Sequence, residues 1–138
     1  MTGPAFQSED VKAAFERFAP RARGALLDLR EEIFDCAQRL PQVGALTETL
    51  KWGQPAYLTE ASGAGTTLRL GVPKTGGFAI FVHCQTDVVP QFRAVFGDAF
   101  TYDGTRAVVF GEGDAPDLEK LRFLIGRALT YHLDKGAR

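Results

Sequence analysis

Apolar side chains recur at helical spacing at both ends of the chain. Ser8 precedes a short run of this kind and is the predicted N-cap of a first helix. Pro20 favours the start of a second helix that continues to about Leu40. Pro116 predicts the start of a last helix, whose apolar face extends from Leu118 to His132. The longest stripe, in the second helix, comprises Ala22, Leu26, Leu29, Ile33, Cys36, Ala37 and Leu40.

The middle of the chain has the alternation that is typical of strands. Residues 66–72 alternate between apolar and polar side chains, and residues 78–84 are almost all apolar. Asp103-Gly104 lies between two further apolar runs, which indicates a hairpin. A short helix capped by Asp87 and ended by Gly97 is predicted between these pairs. Residues 42–50 are predicted as a helical turn, and residues 51–57 as an irregular loop leading into a strand.

Short connections between strands favour antiparallel pairing, and helices at both ends favour segregated layers. We therefore expect an α+β fold with two layers. An antiparallel sheet of about five strands is predicted to pack on N- and C-terminal helices. Residues 1–138 are predicted to form a single domain, because their number suits one domain of ordinary size.

Charge and composition exclude some classes of partner. The formal net charge is −1 and the basic residues are scattered, which argues against a nucleic-acid-binding role. Neither a signal sequence nor an apolar segment of about 20 residues is evident, so we expect no membrane association and a cytoplasmic location. Cys36 and Cys84 are predicted to be buried free thiols, with a disulfide or a reactive thiol as the alternative.

The strand pattern indicates one candidate ligand-binding face. If Leu68, Leu70, Phe78, Ile80 and Val82 face the helices, then Arg69, Phe81 and His83 face the opposite way. An aromatic wall with a cation and a titratable group suits a small anionic or aromatic ligand. The candidate ligand-binding residues are Lys51, Trp52, Gln54, Tyr57, Arg69, Phe81 and His83. A dimer interface and a solvated sheet face are the alternatives, and an exposed Phe123 would favour a homodimer.

Acidic residues cluster on one face of the second helix. They are Asp28, Glu31, Glu32 and Asp35. Such a cluster could bind iron or another hard cation weakly, but Arg21 and Arg39 on the same stripe favour a solvated, charge-balanced face. Patterns of a nucleophile or a zinc site are absent from the sequence. Catalytic residues are therefore not predicted, although an enzyme with a dispersed acid–base pair stays an alternative.

The segment Leu50-Lys51-Trp52-Gly53-Gln54-Pro55-Ala56-Tyr57 resembles the signature of the YdhG-like family of bacterial domains, which is largely of unknown function. The resemblance implies an antiparallel sheet packed on terminal helices, related in shape to frataxins. Some members are regarded as iron chaperones, which implies that Asp28, Glu31, Glu32 and Asp35 would be the iron ligands. We expect an uncharacterised small binding or interaction domain whose small-molecule or protein partner is unknown, with frataxin-like iron binding as the alternative.

Overall fold

The structure is a computed structural model that describes the backbone of residues 3–135 and the side chains of residues 3–133. The α-helices are α1 (Glu9–Arg17), α2 (Pro20–Gln38), α3 (Val88–Phe96), α4 (Leu118–Leu129) and α5 (Tyr131–Lys135). The strands are β1 (Thr47–Lys51), β2 (Gln54–Leu58), β3 (Leu68–Gly71), β4 (Phe78–Phe81), β5 (Thr101–Asp103) and β6 (Ala107–Phe110). A short 3-10 helix, Gly97–Ala99, connects α3 to β5.

The strands form one antiparallel sheet in the order β1-β2-β3-β4-β6-β5. This confirms the α+β class and the antiparallel pairing, with six strands where about five were predicted. The prediction of a helical turn was wrong for residues 47–50, which belong to β1. The apolar alternation of β1 is hidden because Glu48, one of its inward-facing residues, is an ion-paired carboxylate buried in the core.

The helices cover one face of the sheet, which we call the inner face; the other is the outer face. The predicted parity is confirmed for the inner face, because Leu68, Leu70, Phe78, Ile80 and Val82 all join the main core. Ala79, Phe81 and Ala107 form a separate small cluster with Val109 on the outer face. Val72 lies beyond the end of β3 and is 42% exposed.

Helix boundaries follow local capping. Ser8 Oγ accepts a hydrogen bond from the Val11 amide at 3.2 Å, as predicted, and α2 begins at Pro20. Helix α3 ends at Gly97, whose φ of 52° lies in the left-handed region that glycine tolerates. The last long helix begins at Leu118, because Asp117 caps it through the Lys120 amide. The predicted start at Pro116 was therefore two residues early.

Two predictions near strand and helix ends were wrong. Helix α4 stops at Leu129, so His132 falls in the separate helix α5 and is exposed rather than part of an apolar face. Strand β4 stops at Phe81, so Cys84 lies in the following turn and is an exposed free thiol. Cys36 is a buried free thiol, as predicted. Within residues 3–135, no helix combines the length and apolar character needed to cross a membrane.

Candidate functional site

The Leu50–Tyr57 segment forms a tight β-hairpin between β1 and β2. Trp52 and Gly53 are its two turn residues, and both have positive φ values, 55° and 74°. Two consecutive left-handed residues are the mark of a type I′ turn, whose twist matches that of the flanking strands. The irregular loop predicted for residues 51–57 was therefore wrong, because Gly53 serves a hairpin turn and Pro55 lies within β2.

Successive side chains of the hairpin strands point to opposite faces of the sheet. Ala56 pairs with Arg69, which in turn pairs with Phe81, so these three residues lie in one row on the outer face. Gln54 is on the same face as Ala56. Tyr57 is on the inner face and is fully buried in the core. The prediction that Tyr57 borders the ligand face was wrong, because strand alternation turns it away.

Tyr57 belongs to a buried ionic network. Its hydroxyl donates to Glu48 Oε2 at 2.8 Å, and Arg30 Nε donates to the same oxygen at 2.6 Å. The Arg30 guanidinium is 4.4 Å from the Phe6 ring centre and 4.9 Å from that of Phe34. Burial, and then the charge of Glu48, raise the pKa of Tyr57. This network is structural, since Arg30, Glu48 and Tyr57 are all buried and bond to one another.

Arg69 occupies the centre of the outer face. Its guanidinium donates to Gln54 Oε1 and lies 5.2 Å from the centre of the Phe81 ring. Gln54 reaches Arg69 across Gly71: a β-carbon at position 71 would be 2.4 Å from Gln54 Nε2. Because Gly71 has no side chain, the Gln54 amide has the space to reach and orient the Arg69 guanidinium.

A concavity of about 540 Å³ lies around Arg69, within the range of small-molecule sites. Phe81 and Val109 supply apolar surface, and Lys74 and Arg106 add positive charge. Asp103 lines the same concavity and forms an ion pair with Arg106 at 3.0 Å. The remaining lining residues are Gln54, Val72, Pro73, Thr75 and Tyr102.

The charge of Arg69 is not balanced by an acid among the described side chains. The guanidinium is half-buried, and no carboxylate among residues 3–133 forms an ion pair with it. Burial, and then the nearby charge of Arg106, lower the pKa of Arg69 from its ordinary value. An anion in the concavity would relieve both effects, because it would restore the favourable interactions that Arg69 loses by leaving water.

The other predicted residues are arranged less closely than expected. Lys51 pairs with Gln54 but is exposed and does not line the concavity. His83 is exposed beyond the end of β4, where its Nδ1 accepts from the Gln85 amide at 3.1 Å. Trp52 is 90% exposed at the hairpin turn. The structure therefore groups Gln54, Arg69 and Phe81, and leaves Lys51, Trp52 and His83 outside the lining.

Sequence reasoning missed Lys74, Arg106 and Val109. Lys74 is in the predicted turn after β3, and the others flank the predicted Asp-Gly hairpin. Their grouping depends on β6 lying next to β4, which brings Ala107 opposite Phe81. Predicting this grouping would require the order of strands within the sheet, which the pattern of a single sequence does not give.

The backbone of Trp52 is held in an unfavourable conformation. A residue other than glycine at a φ of 55° costs on the order of 1–3 kcal/mol, and asparagine or glycine is preferred at this position of a type I′ turn. No hydrogen bond or ring contact to Trp52 is found within residues 3–133 that would offset this cost.

Two of the four acidic residues in the α2 cluster form ion pairs with arginines. Glu32 accepts from Arg122 Nε at 2.8 Å, and Asp35 pairs with Arg39 at 3.1 Å. Asp28 and Glu31 line the same surface depression as Glu32 and Asp35. In the part of the chain that the structure describes, no group of three or more His, Cys, Asp or Glu side chains is placed to hold a metal ion. Iron binding by these residues stays a prediction from the resemblance.

The chain is similar in structure to a protein of the DUF1801 family, YdhG from Bacillus subtilis, known from a crystal structure. The similarity covers 94% of each chain with a TM-score of 0.62 and 19% sequence identity. No family model and no curated protein matches the chain. The likeness that the Leu50–Tyr57 segment indicates is confirmed for the fold: this chain has the YdhG-like α+β fold.

Proposed function

We propose that this chain is a small cytoplasmic binding domain that holds a small anionic molecule on its outer sheet face. The observation that carries the proposal is the half-buried guanidinium of Arg69, which is oriented by Gln54 and Phe81 and lacks a carboxylate partner among the described residues. A fixed, uncompensated cation in a concavity is suited to receive an anion.

The geometry of arginine determines which anions fit. A guanidinium has five N–H donors in a planar fork that matches carboxylate and phosphate oxygens in pairs. Gln54 Oε1 takes one donor of Arg69, and the Phe81 ring takes one face of the guanidinium. These contacts reduce the side-chain freedom that binding would otherwise remove, so the site is organised before the ligand arrives.

The surroundings of Arg69 support the same ligand class. Lys74, Arg106 and Arg69 place three positive groups around the concavity, against the single negative group of Asp103 among its lining residues. Asp103 is paired with Arg106 and is therefore partly neutralised. Phe81 and Val109 offer apolar surface for the carbon part of a ligand.

Binding rather than catalysis is the role that this arrangement supports. The concavity combines hydrogen-bond donors with apolar surface, and its one lining carboxylate is tied to Arg106 rather than free to act as a base. The scattered basic residues and the net charge of −1 support a small molecule over a nucleic acid. Two free cysteines support the cytoplasmic location.

The proposal is tested by calorimetric titration with methyl phosphate and phenyl phosphate, with benzyl alcohol as the neutral probe. We expect saturable binding of both phosphates, weakened by salt because the contact is electrostatic. Arg69→Met should reduce the affinity at least about tenfold, the loss typical of a paired charged hydrogen bond. Lys51→Met is the matched control on the same face, and it should change the affinity less than about twofold.

Thermal unfolding of each variant establishes that the fold is intact, and Arg69→Gln provides a second, polar replacement. Unchanged affinity in both Arg69 variants would contradict the proposal. Failure of both phosphates to bind the wild-type chain would contradict it equally.

A further inference from the structure

The chain has a single tryptophan, and it is presented at the turn of the β1–β2 hairpin. We propose that Trp52 is an aromatic arm of the outer-face site, and that the ligand is an aromatic ring carrying an anionic group. This inference rests on the proposed anion site and specifies its ligand class.

Among the described residues, Trp52 has no hydrogen bond or ring contact that would stabilise the folded chain. Its side chain is 90% exposed, and its φ of 55° is unfavourable for a residue as bulky as tryptophan. Large aromatic side chains stabilise proteins through burial, which Trp52 does not achieve within the described residues. A residue that breaks a local rule without compensation inside the fold is expected to serve binding.

The hairpin places Trp52 next to the concavity. Gln54, two residues further along the chain, lines the concavity and contacts Arg69. Since β1 to β4 are successive antiparallel neighbours, the Trp52-Gly53 turn and the turn after β3 lie at the same end of the sheet. Residues 72–75 of that second turn line the concavity. Strand spacing separates the two turns by about 10 Å.

Two aromatic side chains, Phe81 and Trp52, have different roles in the proposed site. The Arg69 guanidinium lies over one face of the Phe81 ring, so that ring face is not available to stack on a ligand. The indole of Trp52 is exposed and provides a free aromatic face at the adjoining turn. A ligand whose anionic group contacts Arg69 and whose ring extends towards the hairpin would use both, whereas an aliphatic anion would leave Trp52 in water.

The test compares phenyl phosphate with methyl phosphate, which has the same anionic group without the ring. We expect the wild-type chain to bind phenyl phosphate about three- to tenfold more tightly, the gain typical of one aromatic stacking contact. Phenyl phosphate should also change the indole emission, which reports on Trp52 alone because the chain has no other tryptophan.

Two variants separate stacking from folding. Trp52→Asn should remove the preference for phenyl phosphate, keep the affinity for methyl phosphate within about twofold, and raise Tm by a few degrees because asparagine suits the turn. Trp52→Phe should retain most of the preference, since it keeps an aromatic face.

The outcomes distinguish the two proposals. An unchanged preference in Trp52→Asn, or an unchanged indole emission at saturation, would overturn the role of Trp52 while the Arg69-dependent binding of methyl phosphate still stood. Absence of methyl phosphate binding to the wild-type chain would overturn the anion site and this inference with it.

Discussion

Arg30 and Arg69 are two arginines on opposite sides of the sheet, and both are held by the β1–β2 hairpin. Each guanidinium lies near aromatic rings, Arg30 near Phe6 and Phe34 and Arg69 near Phe81. Arg30 is 2% exposed and its charge is met by a buried carboxylate. Arg69 is half-buried, and it is met by the neutral amide of Gln54.

The two arginines differ in whether the fold itself supplies an acidic partner for the buried charge. Around Arg30, Glu48 and the carbonyl oxygens of Pro4 and Ala5 accept its hydrogen bonds, so the network is closed. Burial acts to lower the pKa of Arg30, but the hydrogen bonds and charges of Glu48 and Tyr57 together outweigh it, so that pKa is raised. The pKa of Arg69 is lowered, because burial and Arg106 act in the same direction. The outer arginine therefore retains the capacity to gain from an anion.

The largest expected effect comes from disrupting the buried ionic network of Arg30, Glu48 and Tyr57. Glu48→Gln keeps the side-chain shape but leaves the Arg30 charge buried without an acid, which should lower the free energy of unfolding by about 3–5 kcal/mol. Urea denaturation measures this loss. Gln54→Met, in the same hairpin but on the outer face, is the matched control and should cost less than about 1 kcal/mol. Equal losses in the two variants would contradict the distinction between the two arginines.

The sequence predicted which face of the sheet Arg69 would occupy, but not the partners of either arginine. Alternation of Leu68 and Leu70 with Arg69 was sufficient to turn Arg69 outward, because one face of the strand must be buried. The same rule missed β1, where Glu48 points into the core. A buried carboxylate looks like a solvent-facing residue until its partner is known, and Arg30 is 18 residues away in another element.

The candidate site was predicted in part for the same reason. Gln54 and Arg69 meet because Gly71 lies opposite Gln54, which is a consequence of strand register. Lys74 and Arg106 join them only because of the sheet order and the path of the turn after β3. Local patterns predict strands and their faces, whereas the grouping of side chains from five strands depends on pairings between residues distant in the sequence.

A smaller effect is expected from Cys36, a second buried titratable group on α2. Burial, and then the charge of Glu32, raise the pKa of the Cys36 thiol from 9.0 to about 11. The unfolded chain releases this proton first, so its contribution to stability is complete below pH 9 and is lost as the pH rises towards 11. Two pH units correspond to roughly 2–3 kcal/mol. Urea denaturation between pH 8 and pH 11 should show this decline.

Variants at the two cysteines isolate that decline. Cys36→Ala should make the decline shallower, most clearly between pH 9 and pH 10, because it removes the buried thiol, whereas the raised pKa of Tyr57 still lowers stability above pH 10. Cys84→Ala leaves the buried thiol in place and should retain the wild-type profile, since Cys84 is exposed. If Cys36→Ala leaves the pH profile unchanged, the helical layer accommodates the charged Cys36 thiolate without a cationic partner, and the prediction is contradicted.

The smallest expected effect tests how the outer arginine is oriented. Gly71→Ala should push the Gln54 amide away from Arg69 and weaken methyl phosphate binding about three- to tenfold, with little loss of stability because the displaced atoms end a flexible side chain. Gln54→Ala should weaken binding equally, and the double variant should weaken it no further, because both changes remove one contact. Gly24→Ala, in open space on α2, is the matched control and should leave binding unchanged. Additive losses in the double variant would mean that Gly71 acts on the site by a route other than Gln54.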